Sequence, residues 1–136
     1  MKIFKLLILT VAAISINMTS TAQKEQNDRI SGSLQSSEIE VLYFHYTRRC
    51  ITCQAIEDVT REAIAEIYGD EVNFIDYNLD DKEGKQKAKE IGISGQTLLI
   101  VGGNTQLNIT NEGFMLARNN PEKLKKIITE KIDPLL

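Results

Sequence analysis

The chain has 136 residues, 16 basic and 19 acidic, for a net charge of −3. It contains no long basic run and no interleaving of basic with aromatic residues, so nucleic acid lacks the electrostatic footprint it needs as a partner. One domain with one core fits this length, and little is left for a second.

The N-terminus reads as an export signal. Lys2 and Lys5 precede an apolar run from Leu6 to Ile16, and Ser20-Thr21-Ala22 places small residues where a signal peptidase reads them. Residues 1–22 are therefore expected to be a cleaved signal peptide, with the mature chain in the periplasm or another extracytoplasmic space. The run of 11 residues matches a signal h-region and falls short of the roughly 20 that a bilayer crossing takes. An uncleaved anchor is the alternative, although Ser15 and Asn17 interrupt any longer span. Cleavage removes two lysines and no acid, which leaves 14 basic and 19 acidic residues and a net charge of −5. Residues 23–38 are polar, with Ser31-Gly32-Ser33 and Ser36-Ser37, and read as a tether. The folded domain is expected over 39–134.

Ile39 to Tyr46 is a β-branched and aromatic run too continuous for a half-exposed strand, and suits a strand covered on both faces. A helix follows, with Cys53, Ile56, Val59, Ala63 and Ile67 at three- and four-residue steps and Glu57, Asp58, Arg61, Glu62 and Glu66 on the other side. Gly69 ends it. Val72 to Tyr77 is a second strand, Asp80 to Ile91 a charged helix closed by Gly92, and Thr97 to Val101 an aliphatic third strand. Gly102-Gly103-Asn104 turns the chain so that Gln106 to Thr110 can return as an antiparallel edge. Pro121 opens a last helix carrying Leu124, Ile127, Ile128 and Ile132 on one side. The order βαβαββα predicts an α/β fold with a mixed sheet of four to five strands flanked by helices, its two helical crossovers linking parallel neighbours.

The only two cysteines, Cys50 and Cys53, sit where the first strand hands over to its helix. A helix N-terminus presents unpaired N–H groups and partial positive charge, which stabilise a thiolate on the first cysteine. Cys50 is thus the candidate nucleophile and Cys53 the resolving thiol. Arg48 and Arg49 precede Cys50 and add positive charge. An inert staple is the competing reading, but a four-residue loop yields only roughly 2 kcal/mol in the chain-entropy model. A single pair in an exported chain also meets no competing thiols.

Val41-Leu42-Tyr43-Phe44, the Cys50–Cys53 pair and Gly92-Ile93-Ser94-Gly95-Gln96-Thr97-Leu98-Leu99-Ile100-Val101 together resemble thioredoxins over roughly residues 39–133. Tyr43-Phe44-His45 with Arg48-Arg49-Cys50-Ile51-Thr52-Cys53-Gln54 is similar, within that superfamily, to a small thioredoxin-like subunit family described with nitrophenyl compound nitroreductases encoded beside arsenical transporters. The resemblance implies the thioredoxin fold and thiol–disulfide exchange, with Cys50 attacking and Cys53 resolving a mixed disulfide. The sequence departs from it in four places. Ile51-Thr52 replaces Gly-Pro, Phe44 stands where the family has a buried aspartate, and Arg49 replaces a tryptophan. Before the third strand, Gly95-Gln96-Thr97 lacks the cis-proline that faces the disulfide, which makes Gln96 and Thr97 the expected substrate groove.

His45, the single histidine, is a candidate modulator able to protonate a leaving thiolate, or a packed residue. By strand parity it points with Val41 and Tyr43, away from Phe44. Two further functions stay open: a metal site built from His45, Cys50 and Cys53, one ligand short of a closed zinc site, and a non-catalytic redox subunit of a larger complex. The redox reading implies no cofactor and no metal. It implies a monomer whose partner is a protein or small-molecule thiol or disulfide, with membrane and periplasmic redox proteins among the candidates.

Overall fold

Strand β1 (Ile39–His45) organises everything around it. In the computed structural model the described residues are 38–136, so the expected signal peptide and all of the expected tether but Glu38 lie outside them. β1 pairs in parallel with β2 (Val72–Asn78) and antiparallel with β3 (Thr97–Gly102), and β4 (Thr105–Asn108) pairs antiparallel with β3. The sheet order is β2-β1-β3-β4, with α1 (Ile51–Ile67) between the first two strands and α2 (Lys82–Ile91) between the second and third.

Both edges of β1 are paired, and both of its faces are covered as well. Val41 and Tyr43 lie in one apolar cluster with Ile56, Ala63 and Ile64 of α1 and with Leu124, Ile128 and Ile132 of the C-terminal helix (Pro121–Ile132). Leu42 and Phe44 lie in a second cluster with Leu79, Ala88 of α2 and Leu99. Leu42, Phe44, Ile56, Leu98, Ile100, Leu124, Ile128 and Ile132 are fully buried, and each such side chain stabilises the fold by about 1.5–3 kcal/mol. The α1 stripe differs from the predicted one. Thr60 and Ile64 are buried, whereas Ile67 is 48% exposed and the next residue, Tyr68, takes the buried place at the end of the helix.

The second crossover does not link parallel neighbours. His45 is opposite Asn78 at the end of β2, and Phe44 is opposite Thr97 at the start of β3, so α2 carries the chain between two points at the same end of β1. Strand β3 then leaves in the opposite direction. The α2 helix is held close to that end by Gly84, where a Cβ would stand 2.0 Å from the Asn78 carbonyl oxygen. It stops at Gly92, whose φ of +83° is a left-handed conformation suited to glycine, with the Ile93 N–H closing onto the Ala88 carbonyl at 2.9 Å.

A further short helix was not expected. Thr110, the predicted end of the edge strand, opens α3 (Thr110–Leu116) instead, so the C-terminal helix becomes α4 (Pro121–Ile132). The Asn108 side-chain oxygen accepts from the Thr110 N–H at 3.0 Å, and the Thr110 hydroxyl accepts from the Leu98 N–H at 2.9 Å, which ends the β3–β4 ladder and turns the chain. Gly113 lets α3 approach Ile56 and Leu98. A 3-10 turn, Asp133–Leu135, follows α4. No helix among the described residues is long and apolar enough to cross a membrane.

Candidate redox site

The segment joining β1 to α1 is braced before it reaches the cysteines. The Leu79 N–H donates to the His45 carbonyl at 2.7 Å, the Thr47 N–H to Asp80 Oδ2 at 2.8 Å, and Asn78 Nδ2 to Thr47 Oγ1 at 2.8 Å. The bond from Thr47 holds the Asp80 carboxyl below its ordinary range.

Cys50 is the N-cap of α1. Its backbone is extended, and its Sγ accepts from the Cys53 N–H at 3.1 Å while its carbonyl accepts the first helical bond from the Gln54 N–H, also 3.1 Å. Sulfur thus occupies the place that a serine or aspartate oxygen takes in ordinary caps. Cys50 and Cys53 form a disulfide with Cα atoms 5.0 Å apart, and among the described residues no cysteine is free. The two ends are unlike: Cys50 is exposed, whereas Cys53 is 6% exposed.

Behind Cys53 lies a polar relay absent from the sequence reading. Tyr43 Oη donates to the Cys53 carbonyl at 2.9 Å, Gln96 Nε2 donates to Tyr43 Oη, and Gln96 Oε1 stands 3.7 Å from Cys53 Sγ. Burial raises the Tyr43 pKa above 10.0, against the opposing pull of Gln96 and Arg49, which keeps the phenol a proton donor. Thr97, expected to line a groove with Gln96, is instead buried, its hydroxyl donating to the Gly95 carbonyl at 2.8 Å. Phe44, which the resemblance set in the place of a buried aspartate, faces the other side of the sheet and stacks on Tyr77 with ring centroids 5.2 Å apart. The β1 side chain that reaches Cys53 is Tyr43.

The two arginines separate. Arg48 is exposed, while Arg49 folds back to pair with Glu57, one turn along α1 from Cys53, and with His45 Nε2 at 2.9 Å. Its charge is therefore largely met by Glu57, which Arg61 also contacts at 2.8 Å. His45 is 3% exposed, lies 5.7 Å from the Tyr43 ring between centroids, and has both ring nitrogens engaged. Nδ1 is 3.0 Å from the Tyr46 carbonyl. Nε2 lies between a donor and an acceptor: neutral, it accepts from Arg49, and protonated, it donates to Asp76 Oδ2 at 3.3 Å. That engagement makes His45 a packed residue that ties Arg49 and Asp76 together. It is not gathered with the cysteines into a metal site, and among the described residues no group of three His, Cys, Asp or Glu side chains is placed to hold an ion.

Tyr43, Glu57 and Asp76 are the participants that sequence reasoning missed. Strand parity set Tyr43 on the same side as His45 without saying which side meets α1, and the four-residue step from Cys53 to Glu57 was a signal for Glu57 that the apolar stripe obscured. Asp76 carried no such signal, because its position depends on β1–β2 register.

Solved structures resemble the chain, and two of them are thioredoxin O2 and Trxlp. Thioredoxin O2 from Arabidopsis thaliana, in its oxidised state, matches over 72% of this chain and 80% of its own at 19% identity and a TM-score of 0.52. Trxlp from Edwardsiella tarda matches over 68% of this chain and 82% of its own at 15% identity and a TM-score of 0.51. The chain has the thioredoxin fold. No family model and no curated protein sequence matches it. Within that thioredoxin-like fold, the cysteine pair stands at the start of α1 and Gln96 directly precedes β3.

Proposed function

We propose that this thioredoxin-fold chain is an exported thiol–disulfide oxidoreductase or redox-relay protein working outside the cytoplasm through Cys50 and Cys53. The observation that carries the reading is the Cys50 cap. The cysteine whose sulfur accepts the Cys53 N–H at 3.1 Å is also the exposed residue of the pair, so the backbone that starts α1 stabilises a thiolate on the cysteine open to a partner.

The exchange runs through one mixed disulfide. In the reducing direction, the Cys50 thiolate attacks a partner disulfide, the Cys50–partner bond forms, and the first partner sulfur leaves as a thiolate. Cys53 then loses its proton to water and attacks Cys50 Sγ. The intramolecular disulfide closes, the second partner sulfur leaves, and both partner thiolates take up protons. Two electrons have passed from the chain to the partner. The reverse sequence oxidises a partner dithiol, and the reduction potential decides which direction operates: about −120 mV marks an oxidant and about −270 mV a reductant. The partner is a protein or small molecule bearing a thiol or disulfide.

The test is to equilibrate the mature protein with a graded glutathione couple while counting free thiols and bound metal. A reversible two-thiol transition is expected, together with a stable mixed disulfide in Cys53→Ser and none in Cys50→Ser. A pair that stays oxidised throughout the series would reduce it to a staple.

A further inference from the structure

The orientation of the Gln96 side chain follows from the groups around it. Tyr43 Oη and the Cys53 carbonyl oxygen are 2.9 Å apart, a distance at which two oxygens need a proton between them, and the carbonyl has none to give. The phenol hydrogen is therefore committed to the carbonyl, and Tyr43 Oη meets Gln96 as an acceptor. The amide NH2 must face Tyr43, which turns Oε1, a pure acceptor, towards Cys53 Sγ at 3.7 Å. In the disulfide that sulfur has no hydrogen. On reduction it becomes an S–H donor with an acceptor already in reach.

We propose that Gln96 is a positioning residue, aimed by Tyr43, that holds Cys53 as a neutral thiol in the reduced protein. An acceptor beside a sulfur stabilises the thiol and disfavours the thiolate. Cys53, at 6% exposure, has little water to offset this. The other ionisable groups nearby do not reverse it. Tyr43 stays protonated, His45 contacts its ring, and Arg49 is paired with Glu57. The cysteines are thus set apart by two devices, a helix cap that favours the thiolate at Cys50 and an amide oxygen that favours the thiol at Cys53. Resting on the thiol–disulfide reading, the consequence is a long-lived mixed disulfide near neutral pH. Its resolution waits for Cys53 to release its proton to water and accelerates as pH rises.

The first test needs no exchange activity. In a Cys50→Ser background, where serine keeps the helix cap, the Cys53 thiolate is titrated by its ultraviolet absorbance with Tyr43 intact and in Tyr43→Phe. Removing the phenol oxygen frees the amide to turn its NH2 to the sulfur. The thiolate fraction at a fixed pH below the midpoint should then rise about three- to tenfold, the worth of one neutral hydrogen bond. Gln96→Glu keeps an acceptor there and should lower that fraction by at least a similar factor. A Tyr43→Phe titration that is unmoved or shifted to higher pH would overturn the proposal, and if that variant fails to fold, an unmoved Gln96→Glu titration would do so. With Cys50 restored, the mixed disulfide with a small aromatic disulfide should resolve about three- to tenfold faster in Tyr43→Phe, with the pH profile displaced to lower pH. Failure of the glutathione transition in the parent protein would remove the exchange reading and leave the Cys53 titration standing.

Discussion

The two faces of β1 are built from alternate residues of one seven-residue strand, yet they do different work. On the α2 face Leu42 and Phe44 meet Leu79, Ala88 and Leu99, all apolar. On the α1 face the strand runs from Val41 through Tyr43 to His45, and polar groups accumulate towards the cysteines: a phenol on the Cys53 carbonyl, then an imidazole between Arg49 and Asp76. The lesson is that chemistry is confined to one face, so stability and reactivity can be altered separately.

Phe44→Ala should have the largest effect. It empties a fully buried site on the α2 face and should cost about 3–5 kcal/mol in urea unfolding, while the glutathione equilibrium of the folded protein stays as in the parent. Gly84→Ala comes next on the same face. Its Cβ would meet the Asn78 carbonyl at 2.0 Å, so α2 must shift, at about 1–3 kcal/mol and again with the thiol equilibrium unmoved. A large change in that equilibrium from either variant would break the separation.

On the α1 face, Arg49→Met leaves Glu57 to Arg61 alone and takes the donor from His45. Since Arg49 and Glu57 side chains are 25% and 13% exposed, a loss of about 1–2 kcal/mol is expected. Lys126→Met removes an equal charge from the open Lys126–Glu130 pair, 76% and 59% exposed, and should change stability by less than about 0.5 kcal/mol. Equal losses from the two would mean that the network around His45 is no more than surface charge.

Two pH limbs carry smaller effects. Burial and the hydrogen bond with Asp133 push the Tyr68 hydroxyl from 10.0 up to about 12. The unfolded chain then gives up that proton first, so stabilisation present below pH 10 fades as pH climbs towards 12. Tyr68→Phe should flatten that alkaline limb by on the order of 1 kcal/mol. At the acid end, burial pushes the Asp76 carboxyl up, but hydrogen bonds from His45 and Arg61 outweigh it and hold it below 3.8. Its contribution is present above pH 3.8 and is lost as pH falls further. With the Asp76 side chain 37% exposed, Asp76→Asn should shallow the acid limb only slightly, read as a small shift of the acid-unfolding midpoint.

What is local could be read along the chain. Hydrophobic period and punctuation gave β1, α1, β2, α2, β3 and the last helix, because alternation, three-to-four spacing, Gly92 and Pro121 act over a few neighbouring residues. The same local logic placed Cys50 at a helix start, and the thioredoxin resemblance followed from it. Short-range reasoning ended at α3, where a threonine suited to a strand is turned by Asn108 and by the Leu98 N–H of the neighbouring strand. Tertiary structure alone decided the antiparallel run of β3, the meeting of His45 with Asp76, and the approach of Gln96 to Cys53. Each rests on strand register or on a contact between residues 31 to 53 positions apart, which no periodicity encodes. A fourth decision, the most consequential, puts Tyr43 rather than Phe44 beneath the disulfide, although Tyr43 and Cys53 are only ten positions apart. Counting back from Cys50 along the chain points to Phe44, but the pleat and the side on which α1 packs select Tyr43.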